Sequence, residues 1–157
     1  MKFTFYNIGK TDKPYIQQGI DDYCHRIKHF IDFSIIDIPG MKSSQNLSDG
    51  LIKKKEGEAL KRVLHKHDII VLLDENGEEM NSRQFAVWLN KLQIQSYKHV
   101  AFVSGGAYGF SDVILKLAHY KISLSKMTFT HQMVRLIFTE QLYRACTILK
   151  GMNYHND

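Results

Sequence analysis

The amino-acid sequence predicts an α/β fold, with a mostly parallel sheet and helices on both of its faces. Two observations lead to this prediction. Short extended runs alternate with helical patterns along all 157 residues, which is typical of strands joined by crossover helices. The run IIVLL at residues 69–73 is apolar at every position, as expected for a strand that is covered on both faces.

The first half of the chain gives two strands and two helices. Residues 2–8 are β-rich, and Pro14 begins a helix whose apolar residues recur at helical spacing. A second strand at residues 33–38 ends at a Pro-Gly pair. The polar segment MKSSQN then leads to a helix over residues 48–65.

The second half continues the alternation. The strand at residues 69–73 is predicted to end at the turn-rich segment DENGE. The remaining predicted elements are a helix over residues 82–95, a strand at 99–103, a short helix near 111–119, a strand at 121–124 and a long helix from Met133 onward.

The composition is typical of one folded domain over residues 1–157. Hydrophobic residues make up 44% of the chain and charged residues 24%, which excludes a disordered protein. Lys and Arg outnumber Asp and Glu by 21 to 16, a net charge of +5. This excess is compatible with an anionic partner such as RNA, although many proteins without one carry as much.

Several other classes of protein are not supported by the sequence. Cys24 and Cys146 form no CxxC motif, so neither a disulfide framework nor a zinc framework is indicated. The histidines lack the spacing of metal ligands, and no metal is expected. The opening residues are too short an apolar run for a signal peptide, and no segment is long enough to cross a membrane. We expect a cytoplasmic protein without a membrane partner.

Three predicted strand ends stand out as places for a ligand, which open parallel sheets bind beyond the carboxyl ends of their strands. They are Leu73, the pair Gly105 and Gly106, and the loop at residues 124–129. The glycine run GGAYG matches neither the dinucleotide fingerprint nor the P-loop. By itself this run favours an ordinary strand-to-helix turn.

The last helix carries two polar residues on an apolar stripe. His131 and Arg135 fall at the N-terminal end of that stripe, one turn apart. They indicate either a helix start that projects past the core or a polar site at an interface, where the positive helix end favours anions. The residues of the stripe are Val134, Phe138, Leu142, Ala145 and Leu149.

The same helix is apolar on a second side, at Met133, Leu136 and Tyr143. In so small a domain, one of the two sides is expected to face another subunit. We therefore predict a homodimer, with active sites that use both chains. Glu140 and Arg144 lie on the opposite side as a favourable ion pair, and Arg144 is expected to be structural.

Specific segments resemble the ribosomal RNA large-subunit methyltransferase H family. They are VSGGAYGF, LSKMTF with the following HQMVR, EQLYRA and a terminal Tyr-His. The resemblance runs from MKFTFYNIGK through KKKEGEAL and IVLLDENG to the end of the chain. The chain departs from the family at Thr130, where proline is usual, and at Asn156, where some members carry a basic residue.

This resemblance implies a SPOUT-class methyltransferase, whose C-terminal part is threaded through a trefoil knot and which works as a homodimer. The implied reaction transfers a methyl group from S-adenosylmethionine to N3 of pseudouridine 1915, in helix 69 of 23S ribosomal RNA. Because the basic excess is modest, we expect the assembled ribosome to be the substrate. The resemblance also implies a cofactor pocket formed by Leu73, Gly105, Leu124, Ser125, Lys126, Met127, Thr128 and Phe129.

The chemistry of methyl transfer assigns roles to four further residues. A general base must take the proton from N3, and histidine suits this task at neutral pH. His155 is the first candidate for this base and His131 the second. Arg135 is expected to hold a phosphate or the negative charge that develops on the uracil ring. Tyr154 is expected to stack on a base.

Two other functions are compatible with the charge and the glycine pattern. One is a ribosome-associated RNA-binding module without catalysis, and the other is a nucleotide-binding α/β protein of the flavodoxin type. The LSKMTF loop favours the methyltransferase over both.

Overall fold

The computed structural model describes residues 1–41 and 47–156. All of the predicted MKSSQN segment except Met41 lies outside the described residues. The described strands are β1 (Lys2–Ile8), β2 (Asp32–Ile38), β3 (Ile69–Glu79), β4 (His99–Ser104) and β5 (Tyr120–Ser123). The described helices are α1 (Pro14–Ile27), α2 (Asp49–Leu64), α3 (Ser82–Ile94), α4 (Asp112–Leu117) and α5 (His131–Leu149).

The strands form one sheet in the order β2-β1-β4-β3-β5, and every neighbouring pair is parallel. The predicted α/β class is therefore confirmed. Because all strands run in the same direction, all of their carboxyl ends lie along one edge of the sheet. The predicted ligand positions lie near this edge, at Leu73 of β3, which pairs with the last residue of β4, and directly after β4 and β5.

Helices cover both faces of the sheet. In β1, Phe3 and Phe5 pack into an apolar layer under α1, α3 and α5. Tyr6 and Ile8 point the other way, into a second layer under α2 and α4. A strand with apolar residues on both faces is what a sheet covered on both sides requires.

The end of β3 differs from the prediction. Leu73 and Glu78 both pair with Ile122 of β5, with a register shift between them. The intervening turn-rich residues form a bulge, after which the strand resumes, so the predicted end at residue 73 is wrong. Glycine is required at position 77, because a Cβ there would lie 2.6 Å from the backbone nitrogen of Ile122.

Helix α5 begins at His131, two residues before the predicted start. Thr130 is its N-cap, and the Thr130 hydroxyl accepts a hydrogen bond from the Met133 N–H at 3.3 Å. The φ of Thr130 is −62°, a value that proline also adopts. The departure from the family's proline therefore keeps the backbone angle and adds a helix cap.

The second apolar side of α5 is partly covered within the chain. The Leu136 side chain packs against Gly19 of α1, with its Cδ1 2.8 Å from the position that a Cβ would occupy. Tyr143 is buried, with ring centroids 5.8 Å from Tyr23 and 6.1 Å from Phe30. Leu136 and Tyr143 therefore have partners within the chain, while Met133 and Leu136 stay partly exposed, and the homodimer stays a prediction.

Candidate functional site

A cavity of about 50 Å³ lies where β3 and β5 end. It adjoins an open depression of about 320 Å³, and Met80, Ser123 and Leu124 line both. The other residues that line the cavity are Leu73, Phe85, Ile122, Phe138 and Gln141. The depression is completed by Glu79, Asn81, Gln84 and Ser125.

The lining of these two spaces fits a nucleoside-type ligand. Pockets for small molecules typically have volumes of about 300–1,000 Å³, apolar walls and a few polar groups. Leu73, Met80 and Leu124 supply apolar walls, while Ser125 and Gln141 supply polar groups. The volume of the depression falls in that range, and the cavity extends it toward the core.

The cavity brings together two of the three predicted strand ends, Leu73 and Leu124. Gly105 follows Ser104, the residue that pairs with Leu73 across the sheet. Gly105 itself is not among the residues lining the cavity or the depression. A Cβ on Gly105 would lie 3.4 Å from the Cα of Gly109, so this turn is tightly packed.

The predicted cofactor loop has a defined internal structure. The Ser123 hydroxyl donates to the carbonyl of Ser125 at 3.0 Å, and the Ser125 hydroxyl accepts from the Met127 N–H at 2.9 Å. Met127 is 76% exposed, while Phe129 is half-buried. Of the predicted cofactor loop, Leu124 and Ser125 line the two spaces, while residues 126–129 do not.

Two further loop residues contact the region around the β3 bulge. The Thr128 hydroxyl donates to Glu75 at 3.3 Å. The Lys126 ammonium lies 3.9 Å from the Glu79 carboxylate, and both groups are largely exposed. These contacts join the loop to the bulge that the sequence analysis did not predict.

Sequence reasoning missed Met80, Phe85 and Gln141 as lining residues. Gln141 also accepts a hydrogen bond from the Ser82 hydroxyl at 2.8 Å, which holds α5 to the start of α3. Gln141 lies three residues after Phe138, so the two share one side of α5. This spacing, together with the predicted pocket, could have identified Gln141 as a lining residue.

Arg135 is fully buried. Its guanidinium donates to the carbonyl of Ile8 and, at 3.0 Å, to the hydroxyl of Thr11. Burial lowers the pKa of Arg135, and the negative charges of Asp37 and Asp12 oppose this effect. The guanidinium therefore fastens the segment after β1 to α5. The expectation that it meets RNA directly needs correction, because no RNA group can reach it in the single chain.

His131 lies one turn before Arg135 and is half-buried. Burial lowers its pKa most, the nearby charge of Arg135 lowers it further, and Asp12 opposes them. Its neighbour Gln132 accepts a hydrogen bond from the Asp12 N–H at 3.2 Å. An imidazole with a lowered pKa is neutral at pH 7, as a general base must be before it takes a proton.

We expect the lowered pKa of His131 to make folding depend on pH. Between this lowered pKa and the ordinary value near 6.5, the unfolded chain binds a proton that the folded chain does not. The free energy of unfolding should therefore decrease as the pH falls through about 6.5. Urea unfolding between pH 5 and 8 should show a shallower decrease for His131→Asn than for the unchanged chain. Equal slopes would contradict the assignment.

The C-terminal tail is packed onto α5. The Tyr154 hydroxyl donates to Glu140 at 3.1 Å, and its ring lies 4.8 Å from that of Tyr143. The Arg144 guanidinium lies 4.8 Å from the centre of the Tyr154 ring and also pairs with Glu140. The predicted Glu140–Arg144 pair is thus confirmed, and it anchors the tail.

His155 is held by the same arginine. The Nδ1 of His155 lies 3.3 Å from a guanidinium nitrogen of Arg144. Arginine can only donate, so the contact requires an unprotonated Nδ1 and leaves the proton of a neutral ring on Nε2. Neither tail residue lines the cavity of its own chain.

Two properties of the described residues bear on other functions. None of the described helices combines the length and apolar character that are needed to cross a membrane. In residues 1–41 and 47–156, no group of three or more His, Cys, Asp or Glu side chains is placed to hold a metal ion.

Comparison with solved structures supports the fold. A probable methyltransferase from Bordetella pertussis Tohama I has a TM-score of 0.55 at 11% identity, covering 92% of this chain and 96% of that one. A probable methylase family protein from Haemophilus influenzae Rd KW20 has a TM-score of 0.54 at 11% identity, covering 99% of this chain and 70% of that one. At these identities the likeness concerns the fold alone.

Comparison of sequences is more specific. The family model that matches residues 1–155 is described as "Predicted SPOUT methyltransferase". A ribosomal RNA large subunit methyltransferase H from Bacteroides fragilis is 47% identical over 157 residues, and one from Parabacteroides distasonis is 48% identical. Both alignments cover 100% of this chain and of the relative. The chain therefore belongs to the SPOUT methyltransferase family and, within it, groups with the ribosomal RNA large subunit methyltransferases H, as the LSKMTF and EQLYRA segments predicted.

Proposed function

We propose that this protein methylates N3 of pseudouridine 1915 in helix 69 of 23S ribosomal RNA, with S-adenosylmethionine as the methyl donor. The observation that carries the proposal is the cavity at the ends of β3 and β5. The cavity is lined by Leu73 and by Leu124. Leu124 is the first residue of LSKMTF, the most specific segment that the chain shares with the family. The curated relatives, which are 47% and 48% identical over their full lengths, support the choice of ribosomal RNA as substrate.

The cofactor would be held by residues of this cavity and its loop. Leu73, Leu124 and Met127 would enclose the adenine, and loop amides would hydrogen-bond its edge. Gly105 would allow close approach of the ligand to the backbone. When bound, S-adenosylmethionine supplies an electrophilic methyl group, so the protein mainly aligns donor and acceptor.

The protein must also accept the proton that leaves N3. His155 remains the first candidate, but its Nδ1 faces Arg144 in the single chain. To accept a proton at Nδ1, the ring must leave Arg144 when the tail engages substrate. His131, neutral at pH 7 because of its lowered pKa, is the second candidate.

Arg135 acts in this proposal by positioning. Its two hydrogen bonds hold the Ile8 carbonyl and the Thr11 hydroxyl, and its charge lies near His131. It thereby fixes the segment between β1 and α1 relative to the start of α5. Because Arg135 is fully buried, the proposal includes no contact between Arg135 and a phosphate.

The protein is proposed to act as a homodimer in which the tail of one chain completes the cavity of the other. The tail is packed against α5 and does not line its own cavity, which supports this arrangement. Met127, which is 76% exposed and lies two residues after Ser125 of the depression, is an apolar group that the cofactor and a second chain would cover together. Sedimentation of fully active protein as a monomer would contradict the proposal.

Two titrations and one assay test the proposed function. Calorimetry should show binding of S-adenosylmethionine and none of flavin or nicotinamide nucleotides, which separates this function from a flavodoxin-like one. Ribosomes that lack the modification should then incorporate tritiated methyl groups, with the product mapped to N3 of the pseudouridine. Ribosome binding without any heat from S-adenosylmethionine would instead support the RNA-binding module.

The state of the RNA substrate gives a further expected result. A net charge of +5 offers little electrostatic attraction to naked RNA, so contacts that exist only in the assembled particle should be needed. Intact ribosomes should therefore be methylated much faster than free 23S RNA at equal concentration. Equal rates for the two substrates would contradict this expectation.

A further inference from the structure

Glu56 of α2 is a buried acidic residue. The residue is only 8% exposed, although it follows three lysines in the helix. The backbone N–H of Met41 donates to the carboxyl group, and burial raises its pKa. Its Oε2 has no hydrogen-bond partner among the described residues. Burying such a group is costly, so its retention needs an explanation.

The position of this carboxyl group supplies the explanation. A Cβ on Gly106 would lie 2.6 Å from Oε2 of Glu56 and 3.3 Å from the side chain of Ile8. The carboxyl group therefore lies directly against the glycine turn that follows β4. The turn closes with a hydrogen bond of 3.1 Å from the Gly109 N–H to the Gly106 carbonyl.

The next residue of α2 holds the other end of the same segment. A Cβ on Gly57 would lie 2.9 Å from the Cβ of Ser111, the N-cap of α4. Glu56 and Gly57 thus contact both ends of residues 106–111. Gly106 and Gly109 carry no side chains to hold the segment, so the contacts from α2, together with the buried Phe110, fix its path.

We propose that Glu56 is a positioning residue for the cofactor pocket. Through its contact with Gly106, it sets the path of the turn and hence the position of Gly105. This inference rests on the proposed role of Gly105 in binding S-adenosylmethionine. Glu56 acts on the pocket through the backbone and does not itself touch the cofactor or the RNA.

The first test compares three variants by calorimetric titration of the full chain with S-adenosylmethionine. Glu56→Ala should raise the dissociation constant about tenfold or more, because the turn loses its support. Glu56→Gln keeps the shape and should stay within about threefold of the unchanged protein. Glu58→Ala, at an exposed position of the same helix, is the matched control and should bind normally.

Kinetics on ribosomes separate positioning from general damage. Glu56→Ala should raise the KM for S-adenosylmethionine while kcat at saturating cofactor changes little. A variant that is merely less stable would lose active protein and so lower kcat instead. Thermal unfolding of each variant, with and without cofactor, measures the folded fraction independently of activity.

Gly106→Ala gives a second test that leaves Glu56 in place. The added methyl group must displace Oε2, so this variant alone should also weaken cofactor binding about tenfold. In the double variant with Glu56→Ala, the methyl group meets no carboxyl group, and the two effects should not add. Additive effects, or normal binding by Gly106→Ala, would overturn the proposal. Absence of binding by the unchanged protein would instead overturn the pocket assignment.

Discussion

Deleting residues 154–157, or replacing His155 by alanine, should lower methyl transfer to ribosomes by about a hundredfold or more, the contribution of a positioned general base. Cofactor affinity should be nearly unchanged, because Tyr154 and His155 are proposed to act on the RNA base and not on the cofactor. Tyr154→Phe should lose less activity, since it removes the hydrogen bond to Glu140 but keeps the ring. The assay is tritiated methyl incorporation, run beside a cofactor titration on the same preparations.

The matched control for the tail is Met152→Ala. Met152 is 48% exposed and precedes the anchored residues, so this variant should retain normal activity. Near-normal incorporation by the truncated protein would contradict the role of the tail and leave His131 as the candidate base.

A mixing experiment tests which cavity the tail serves. His155→Ala and Leu124→Arg should each be inactive, the second because it fills the cofactor cavity. If each site uses both chains, mixed dimers contain one site with an intact cavity and an intact tail. Activity should then reappear on mixing, whereas sites built from one chain would remain inactive.

Leu142→Lys should destabilise the fold by about 4 kcal/mol or more, because it places an ammonium group in the apolar layer. Leu142 is fully buried under the sheet, at the centre of α5. Leu149, seven residues later in the same predicted stripe, is 36% exposed at the end of the helix. Leu149→Lys should therefore cost only about 0.5–1 kcal/mol. Equal losses in urea unfolding would contradict this account of α5.

The order of strands and helices could be predicted because hydrophobic periodicity is a local property of the sequence. The end of β3 could not be predicted from this periodicity. The residues DENG have turn propensity and do form a bulge, but the strand resumes because Glu78 finds a partner in Ile122 of β5. A partner more than forty residues away leaves no trace in the local pattern.

The candidate site was predictable only in part. The ends of β3 and β5 were located because the carboxyl ends of parallel strands share one edge. Arg135 was expected near a surface, since the sequence does not show that a guanidinium inside the core can donate to the carbonyl of Ile8. One of the two apolar sides of α5 was assigned to a second subunit, because the packing of α1 against α5 could not be predicted from the sequence.

Glu56 was missed although a signal existed. Ile52, Glu56 and Leu60 follow one another at intervals of four residues, and all three are buried. A charged residue on an apolar stripe is the same anomaly that drew attention to His131 and Arg135. Three lysines precede Glu56, and such a run of charged residues is typical of a solvent-exposed helix face. The buried position of Glu56 was therefore not recognised.

The position of β1 in the sheet has a consequence for how the chain acquires its structure. β1 is made first, yet it pairs on one side with β4, where Asn7 and Ser104 are 97 residues apart in sequence. Contacts of such long range slow folding, because a large loop must close before they form. During synthesis, Phe3 and Phe5 therefore remain partly uncovered until β4 has been made and α5, which packs Phe138 against Phe5, has left the ribosome. The nascent protein is most vulnerable to aggregation in that interval, and a chaperone that binds apolar segments should act there.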